Sequence, residues 1–462
     1  MRLTLSISLF AMAPAFAADP PATSAPRPIP LTRSEMKRDI EQMKERKPRI
    51  PLPELTEDEK AKLDERGLGY DSRLRALYMS GNSTSNGVYG FGGGTGRGGG
   101  GNADPAMTLD NAFKVELFWI VSRTNNCQYC QGHQESKLLR AGLKEDDIAA
   151  LDGDWSGFSA KDRVAFAFAR KITYEPHLFG DVDYKALKEH YTDLQILEML
   201  MSVAGNNAIN RWKEGVGAPQ STNGGGFDRK PGEQPNEKHT YLTPTAERYK
   251  DAVTKVAPLQ LDEKGKPTGK TVSTRPALES KAGTDQALEA AAKRTARLPL
   301  LDEEKARTAM PDDFAKDAPI PQWARLLANF NSGKARIASQ IYAEGKGDLK
   351  PLVKAQVSWI IARQDRAWYA AAEAKARLKN LGQTDEQIDA LDGDWKSFDD
   401  TERSLFTVAK NLAASPVVLT DDDVTAALKL AGPKSVVQLV NYVTVRASFD
   451  RITEAAGLQA GK

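Results

Sequence analysis

The chain has 462 residues, which is enough for two or three domains that each bury a core. Its formal net charge is +2, with 64 Lys and Arg residues against 62 Asp and Glu residues. Acidic and basic residues are interspersed, so no strongly charged field favours nucleic acid as a partner. The two cysteines stand in one C-x-x-C motif, which excludes the disulfide-rich class of secreted domains.

The first seventeen residues predict a secretory signal peptide, residues 1–17. Arg2 supplies the charged start, Leu3 to Ala13 is mostly apolar, and Ala15-Phe16-Ala17 forms a small-x-small cleavage site. The alternative is a short membrane anchor, but the apolar run is far below the roughly 20 residues that span a bilayer. We therefore expect an exported protein, in a bacterial periplasm.

Residues 18–104 are predicted to be an N-terminal extension. Residues 18–52 are rich in proline and charge, which favours an extended or loosely attached segment, and short helices are expected at Thr56 to Arg66 and Ser72 to Met79. Nine of the twelve residues from Gly90 to Gly101 are glycine. No strand is evident before this run and no Lys-Ser or Lys-Thr follows it, so a flexible loop is favoured over a phosphate-binding loop.

The pattern from Leu109 onward predicts an all-α fold. Leu109 to Arg123 is amphipathic, a second helix is expected to run to Arg140, and Gly142 is expected to stop it. Ser159 and Asp162 resemble a capping box at the start of a later helix. Residues 105–218 are therefore predicted to form one helical domain.

The reactive residues of this domain lie between its first two helices, in Asn125-Asn126-Cys127-Gln128-Tyr129-Cys130-Gln131-Gly132-His133. Cys127, Cys130 and His133 are three residues apart, so about 60° of helical rotation separates each from the next, and they share one face. Asn125 or Asn126 is predicted to cap this helix. The positive end of the helix favours a thiolate, and a nearby imidazole can exchange its proton. The motif is thus typical of a dithiol redox centre.

Two other interpretations of the motif stay open. The cysteines could form a short structural disulfide or remain inert buried thiols. Cys127, Cys130 and His133 could also supply three zinc ligands, although no fourth ligand is evident from spacing. Covalent haem attachment is disfavoured because Gln131, and not histidine, follows the second cysteine.

The second half of the chain repeats the first at an offset of 240 residues. Leu151-Asp152-Gly153-Asp154-Trp155 recurs as Leu391-Asp392-Gly393-Asp394-Trp395, which indicates two copies, residues 105–218 and 345–458. At the reactive positions the second copy has Ala367, Ala370, Glu373 and Gln356 in place of Cys127, Cys130, His133 and Glu116. We therefore predict a linker over 219–318 and a second, degenerate domain over 319–458.

The first copy resembles the carboxymuconolactone decarboxylase family, in its alkyl hydroperoxidase D-like branch. The resemblance rests on Glu116 in Val-Glu-Leu-Phe-Trp-Ile-Val-Ser-Arg, on Asn-Cys-Gln-Tyr-Cys-Gln-Gly-His, and on Ala141-Gly142-Leu143. It implies a helical bundle in which Cys130 reacts with peroxide and Cys127 resolves the product. It also implies that His133 is a base beside Cys130 and that Glu116 is the carboxylate end of a proton relay.

This chain departs from the family pattern at two places. The family histidine lies four residues after the second cysteine, where this chain has Gln134, and the family glutamate lies one residue further from the first cysteine than Glu116 does. The resemblance implies a thiol-dependent peroxidase without a cofactor, which needs a hydroperoxide substrate and an external thiol reductant protein. It also implies a homo-oligomer.

Two other functions remain alternatives to the peroxidase. A non-catalytic binding or scaffold module is one, since the second copy keeps the pattern without the cysteines. The decarboxylase branch is less favoured because it works without a redox dithiol. Asn206, Asn207 and Asn210 share a helical face, and either line a pocket or satisfy contacts between helices.

Overall fold

The computed structural model describes residues 25–61, 69–79, 104–222, 239–272, 277–312 and 314–461. In these ranges the regular elements are α-helices and short 3₁₀ turns, and two isolated bridges are the only β pairing. The predicted all-α fold is confirmed. No helix within the same ranges is both long and apolar enough to cross a bilayer. The predicted signal peptide and the glycine-rich run lie outside the described residues.

The N-terminal extension forms a helix that packs on the rest of the protein. This helix is α1 (Arg33–Gln42), and Thr32 and Glu35 close a capping box at its start. Met36 and Ile40, four residues apart on one face, are fully buried. The prediction that residues 18–52 are loosely attached is therefore wrong for the part that is described. Buried ion pairs of Arg33 and Lys37 with Glu145 also hold this helix in place.

Two short helices follow in the extension, α2 (Glu57–Ala61) and α3 (Tyr70–Tyr78), close to where the sequence predicts them. Leu74 on α3 is buried, whereas no residue of α2 is.

Six helices then occupy the span of the predicted first domain. They are α4 (Asn111–Asn125), α5 (Gln128–Arg140), α6 (Glu145–Ala150), α7 (Ala160–Tyr174), α8 (Asp181–Lys188) and α9 (Asp193–Val216). The Ser159 side chain accepts the N–H of Asp162 at the start of α7, as the sequence indicates. Gly142, with a φ of 96°, follows the end of α5, which is the predicted stop.

The predicted linker adds three short helices that pack onto the same core. They are α10 (Glu247–Lys250), α11 (Lys281–Ala291) and α12 (Glu303–Arg307). Val256, Leu298 and Met310 are buried in the hydrophobic cluster that contains both helical spans. The segment thus has no separate core among its described residues and covers part of the common one.

Seven helices form the second span. They are α13 (Gln322–Leu327), α14 (Gly333–Gly345), α15 (Pro351–Asp365), α16 (Trp368–Asn380), α17 (Asp385–Asp389), α18 (Asp400–Ala413) and α19 (Asp421–Ala455). The bounds of α15 and α16 are those of α4 and α5 increased by 240. Gly432 breaks α19, with a φ of 77°, at the place where α8 and α9 are separate. From α15 to α19 the second span therefore has the order and spacing of α4 to α9.

The two spans meet through α9 and α19, which pack against each other. Arg211 on α9 donates to Ala413 O at 2.8 Å, and Arg451 on α19 donates to Thr173 O at 3.0 Å. Both the donors and the acceptors are related by the offset of 240, so the contact is reciprocal, as in a two-fold interface. This junction lies directly behind the turn that carries Cys127.

Gly132 on α5 lets three segments approach the motif helix. A methyl group there would meet the Gln220 side chain, and it would lie 2.7 Å from Ile40 Cγ2 and 3.0 Å from Tyr241 Cε1. We expect Gly132→Ala to destabilise the protein by about 1–3 kcal/mol through overpacking, against a gain of about 1 kcal/mol in helix propensity.

Gly283→Ala on α11 is the matched control, because its methyl group would make only ordinary contacts, the nearest at 3.4 Å. It should raise the free energy of unfolding, measured by denaturant titration. Equal stabilisation by both substitutions would contradict the close packing of α1 on α5.

Candidate functional site

A tight turn between α4 and α5 positions the first cysteine. Asn126 adopts the left-handed conformation, with a φ of 57°, and the N–H of Cys127 donates to Ser122 O at 2.9 Å. Cys127 itself is the N-cap of α5, and its sulfur accepts the N–H of Cys130 at 3.4 Å. The prediction that Asn125 or Asn126 caps α5 is therefore wrong.

The Asn126 side chain points away from α5 and bonds to the N-terminal segment instead. Its amide donates to Arg27 O at 3.2 Å and to Pro28 O at 3.1 Å. The N-terminal segment is thus tied across the turn that precedes Cys127.

The two thiols lie side by side in a closed environment. The Sγ atoms of Cys127 and Cys130 are 2.7 Å apart, both thiols are free, and their residues are 0 % and 2 % exposed. A disulfide has an S–S distance of about 2.05 Å, so only a small approach of the sulfurs would close one. Phe118 contacts the pair, and Tyr129 and Ile209 pack around it.

Charged groups of both signs surround Cys127, since Arg27 and Arg211 interact with it electrostatically as well as Glu214. Burial raises the pKa of Cys127, and the Cys130 thiol and the carboxylate of Glu214 raise it further. Burial alone would raise the pKa of Glu214, but Arg27 and neighbouring guanidinium groups lower it, so this carboxylate stays ionised. Cys127 is thereby held as a neutral thiol.

A lysine interacts with Cys130 instead. Lys213 interacts electrostatically with Cys130, lies 4.4 Å from the Tyr129 ring centroid and pairs with Asp71. Burial alone would lower the pKa of Lys213, but Asp71 and Tyr129 raise it, so the ammonium group stays charged at neutral pH. Lys213 is thus a buried cation that interacts with Cys130, whereas at Cys127 burial, Cys130 and Glu214 outweigh the guanidinium groups.

His133 lies one turn after Cys130 and is fixed by Tyr129. Its Nδ1 is 2.9 Å from Tyr129 O, and the two rings stack with centroids 4.4 Å apart. A backbone carbonyl accepts only from a protonated nitrogen, so this contact assigns the proton to Nδ1 and leaves the lone pair on Nε2. Nε2 is the atom through which His133 could act as a base.

The structure does not bring Glu116 to the cysteines. Phe118, which contacts them, is two residues further along α4, and about 200° of helical rotation separates the two side chains. Burial raises the pKa of Glu116 to about 7, and Asp162, Asp110 and Asp147 raise it as well. Its neighbours are thus carboxylates on the far side of α4, and the relay predicted to end at Glu116 is not assembled.

The three asparagines predicted to share a face divide into two groups. Asn207 and Asn210 accept hydrogen bonds from Asn125 at 2.9 and 3.1 Å, which makes them part of the support of the turn. Asn206 is fully buried, and its amide has no hydrogen-bond partner among the described residues. The second span completes this support, because Ser415 donates to Asn125 Oδ1 at 2.8 Å.

Sequence reasoning missed Lys213, Glu214 and Arg27. A signal existed for Lys213, since the residue 240 positions later is Thr453, so that this cation is lost together with the cysteines. Arg27 precedes the repeated region, and no spacing connects it to the motif.

The zinc interpretation requires further ligands around Cys127, Cys130 and His133. Across the described ranges, no group of three or more His, Cys, Asp and Glu side chains is arranged to hold a metal ion.

The unequal surroundings of the two thiols predict unequal reactivity. The single thiol of Cys127→Ser, which is Cys130, should be alkylated faster at neutral pH than the single thiol of Cys130→Ser. The expected difference is about tenfold or more, since about 1.4 kcal/mol of differential charge interaction suffices for it. Rates of iodoacetamide labelling against pH measure it, with unfolded protein as the reference. Faster labelling of Cys130→Ser would reverse the assignment.

The raised pKa of Glu116 predicts a pH-dependent stability. Unfolded glutamate ionises near pH 4.3 and the folded residue near pH 7, so the folded state binds the extra proton between these values. Glu116 therefore lowers stability as the pH rises through this window. Glu116→Gln should abolish that loss, so the free energy of unfolding of the variant should rise relative to that of the wild type from about pH 4.5 to 7. A stability difference that does not change with pH would contradict the prediction.

No protein-family model, curated protein or solved structure matches this chain. The likeness to the alkyl hydroperoxidase D-like branch therefore depends on the motif residues themselves. The roles that this likeness implies remain predictions, to be judged on the geometry around Cys127 and Cys130.

Proposed function

We propose that the first helical span is a thiol-dependent peroxidase that uses Cys130 and Cys127. The observation that carries the proposal is the pair of free thiols 2.7 Å apart in the first turn of α5. On α9, the buried Lys213 interacts electrostatically with Cys130, and the carboxylate of Glu214 raises the pKa of Cys127. One thiol is thus favoured as the nucleophile and the other as the proton-bearing partner.

The reaction follows from these two roles. The Cys130 thiolate attacks the outer peroxide oxygen, the O–O bond breaks, and Cys130 becomes a sulfenic acid while the alcohol leaves. The Cys127 sulfur then attacks Cys130, the S–O bond breaks, and water is released as the disulfide forms. One hydroperoxide and two thiols give one alcohol, one water and one disulfide. An external thiol reductant protein must reopen that disulfide.

His133 is the proposed proton carrier for the leaving oxygen. Its Nε2 is the nitrogen that remains after Nδ1 binds the Tyr129 carbonyl. General acid–base assistance of this kind contributes roughly 10²–10⁴-fold to a rate. Glu116 has no part in the proposed proton path, because its neighbours are the carboxylates on the other side of α4.

The burial of both sulfurs favours small substrates. Cys130 is 2 % exposed, and residues 27 and 28 lie across the preceding turn. Hydrogen peroxide should therefore react faster than a bulky organic hydroperoxide. A reductant protein needs a larger opening, since the attacked sulfur must be reached along the S–S axis.

We further propose that the two spans arose by tandem duplication and that the second span performs no thiol chemistry. Ala367 and Ala370 occupy the positions of the cysteines, and alanine has neither a nucleophile nor an exchangeable proton. Export through a cleaved signal peptide, a periplasmic location and homo-oligomer formation belong to the same proposal.

Two substitutions test the peroxidase directly. With one equivalent of hydrogen peroxide, Cys130→Ser should show no oxidation, whereas Cys127→Ser should stop at a sulfenic or sulfinic acid on Cys130. The wild type should lose two hydrogens and form an intramolecular disulfide. Mass spectrometry of the intact protein distinguishes these products.

Glu373→Ala, in the second span, is the matched control and should react like the wild type. Thiols that stay reduced under a large excess of peroxide, in a protein that remains folded, would instead support the non-catalytic alternative.

A further inference from the structure

The position in the second span that corresponds to the dithiol holds a cluster of charged residues. It consists of Glu344 on α14, Glu373 and Arg377 on α16, and Tyr442, Arg446 and Asp450 on α19. Glu373 replaces His133, Arg446 replaces Asn206, and Asp450 replaces Asn210 at the offset of 240. Ser358 stands where Phe118 contacts the cysteines. The surroundings that are apolar and contain two thiols in the first span are thus polar and charged in the second span.

The outer part of this cluster is well bonded. Tyr442 donates to the Glu344 carboxylate, with its hydroxyl 2.7 and 2.8 Å from the two oxygens. Arg377 pairs with Glu344 and also donates to the Tyr442 hydroxyl at 3.2 Å. These groups satisfy one another, so they form a rigid wall.

The inner part has donors and acceptors without partners. Arg446 is fully buried and donates to Glu344 through Nη1 at 3.2 Å, but its Nε and Nη2 make no hydrogen bond within the described residues. Both carboxyl oxygens of the fully buried Asp450 are likewise unbonded to any described residue. Leaving such groups unsatisfied costs about 1–3 kcal/mol each, and more when they are charged. A ligand that bonds to them would recover that free energy.

The geometry of Arg446 defines what fits. Nε and Nη2 form one edge of the guanidinium group, and that edge donates two parallel hydrogen bonds to a carboxylate. The Phe449 ring, 4.2 Å away, covers one face of the guanidinium group and holds its plane. Glu373 Oε2 forms an ion pair with Nη2 at 3.7 Å, which is longer than a hydrogen bond, so a ligand carboxylate that bonds to this edge replaces Glu373 there.

Charge limits the ligand to one carboxylate. Burial raises the pKa of Asp450 well above its ordinary value although Arg446 and Arg451 lower it, and the net rise favours the neutral form. Burial also raises the pKa of Glu373, whereas Arg446 and Arg377 remain cationic beside the single carboxylate of Glu344. One additional negative charge is balanced here, and a second would face Glu373.

The outer residues of the cluster reach the surface. Glu373 has 32 % of its side chain exposed although its Oε2 atom is buried, and Arg377 and Glu344 are exposed by about a quarter. Arg446 is bonded to Glu344 and has no exposure. The cluster therefore extends from partly exposed carboxylates to a fully buried guanidinium group.

We propose that the second span binds one small monocarboxylic acid, whose carboxylate takes the Nε and Nη2 edge of Arg446. This assigns a ligand site to the span that lacks the cysteines. The site needs neither thiol, so it is independent of the proposed peroxidase.

Calorimetric titration of the full-length protein tests the proposal, with acetate, propionate and lactate as probes and their uncharged amides as controls. At least one acid should bind saturably with one site per chain, and its amide should not. Arg446→Gln should weaken that binding about tenfold or more. Arg403→Gln, on the exposed start of α18 where Arg403 pairs with Asp400, is the matched control and should not change it.

A second variant keeps the test decisive if Arg446→Gln fails to fold. Glu373→Gln removes a carboxylate that faces the ligand, so it should tighten binding of the acid. Weaker binding in this variant would indicate a cationic ligand group and would overturn the assignment. So would the absence of saturable heat with all three acids, or crystals soaked in them that show only water at Arg446.

Binding in the Cys127→Ser/Cys130→Ser double variant separates this site from the thiol chemistry. The acid should bind with unchanged affinity when both thiols are absent. Loss of binding in that variant, with the protein folded, would contradict an independent site.

Discussion

The turn from Asn125 to Cys127 is the feature on which the arrangement of both thiols depends. A left-handed residue at Asn126 lets α4 end and α5 begin with only two residues between them. Three distant parts of the chain hold this turn: the carbonyl groups of residues 27 and 28, the asparagines of α9, and Ser415 from the second span. The geometry of the dithiol is therefore a tertiary property. An isolated motif peptide would not keep it.

The second span supports the turn that carries Cys127 although it has no cysteine of its own. Arg211 donates to Ala413 O and Arg451 to Thr173 O, and Ser415 accepts from both arginines while it donates to Asn125. Removing the second span would leave Arg211 and Asn125 without these partners. The position of the thiols therefore depends on a span that contains no thiol.

The sequence predicts most of the fold because helical periodicity and capping residues are local signals. Gly142 predicts where α5 ends, and the Ser-x-x-Asp pattern predicts the cap at Ser159. The docking of α1 was missed because only Met36 and Ile40 distinguish it from a solvated charged segment. Composition alone does not predict that a helix with many charged residues docks through two apolar ones.

The same limit applied to the candidate site. The spacing of Cys127, Cys130 and His133 gave the shared face, since it depends only on helix geometry. It could not give the residues that distinguish the two thiols, because Glu214 and Lys213 lie on α9, more than eighty positions away. Glu116 shows a different error. The sequence predicted its helix correctly, but the resemblance assigned a role to a residue on the face of α4 that points away from the cysteines.

Burial and charge together determine what each half of the molecule can do. In the first span the buried groups are thiols, which tolerate an apolar setting as neutral groups and need one nearby cation to become reactive. In the second span the buried groups are a guanidinium and a carboxyl, which are unfavourable in an apolar setting unless they are bonded. The proposed nucleophilic chemistry therefore belongs to the span whose inner residues are small and neutral. The proposed recognition of a ligand belongs to the span whose inner residues are charged and need a bonding partner.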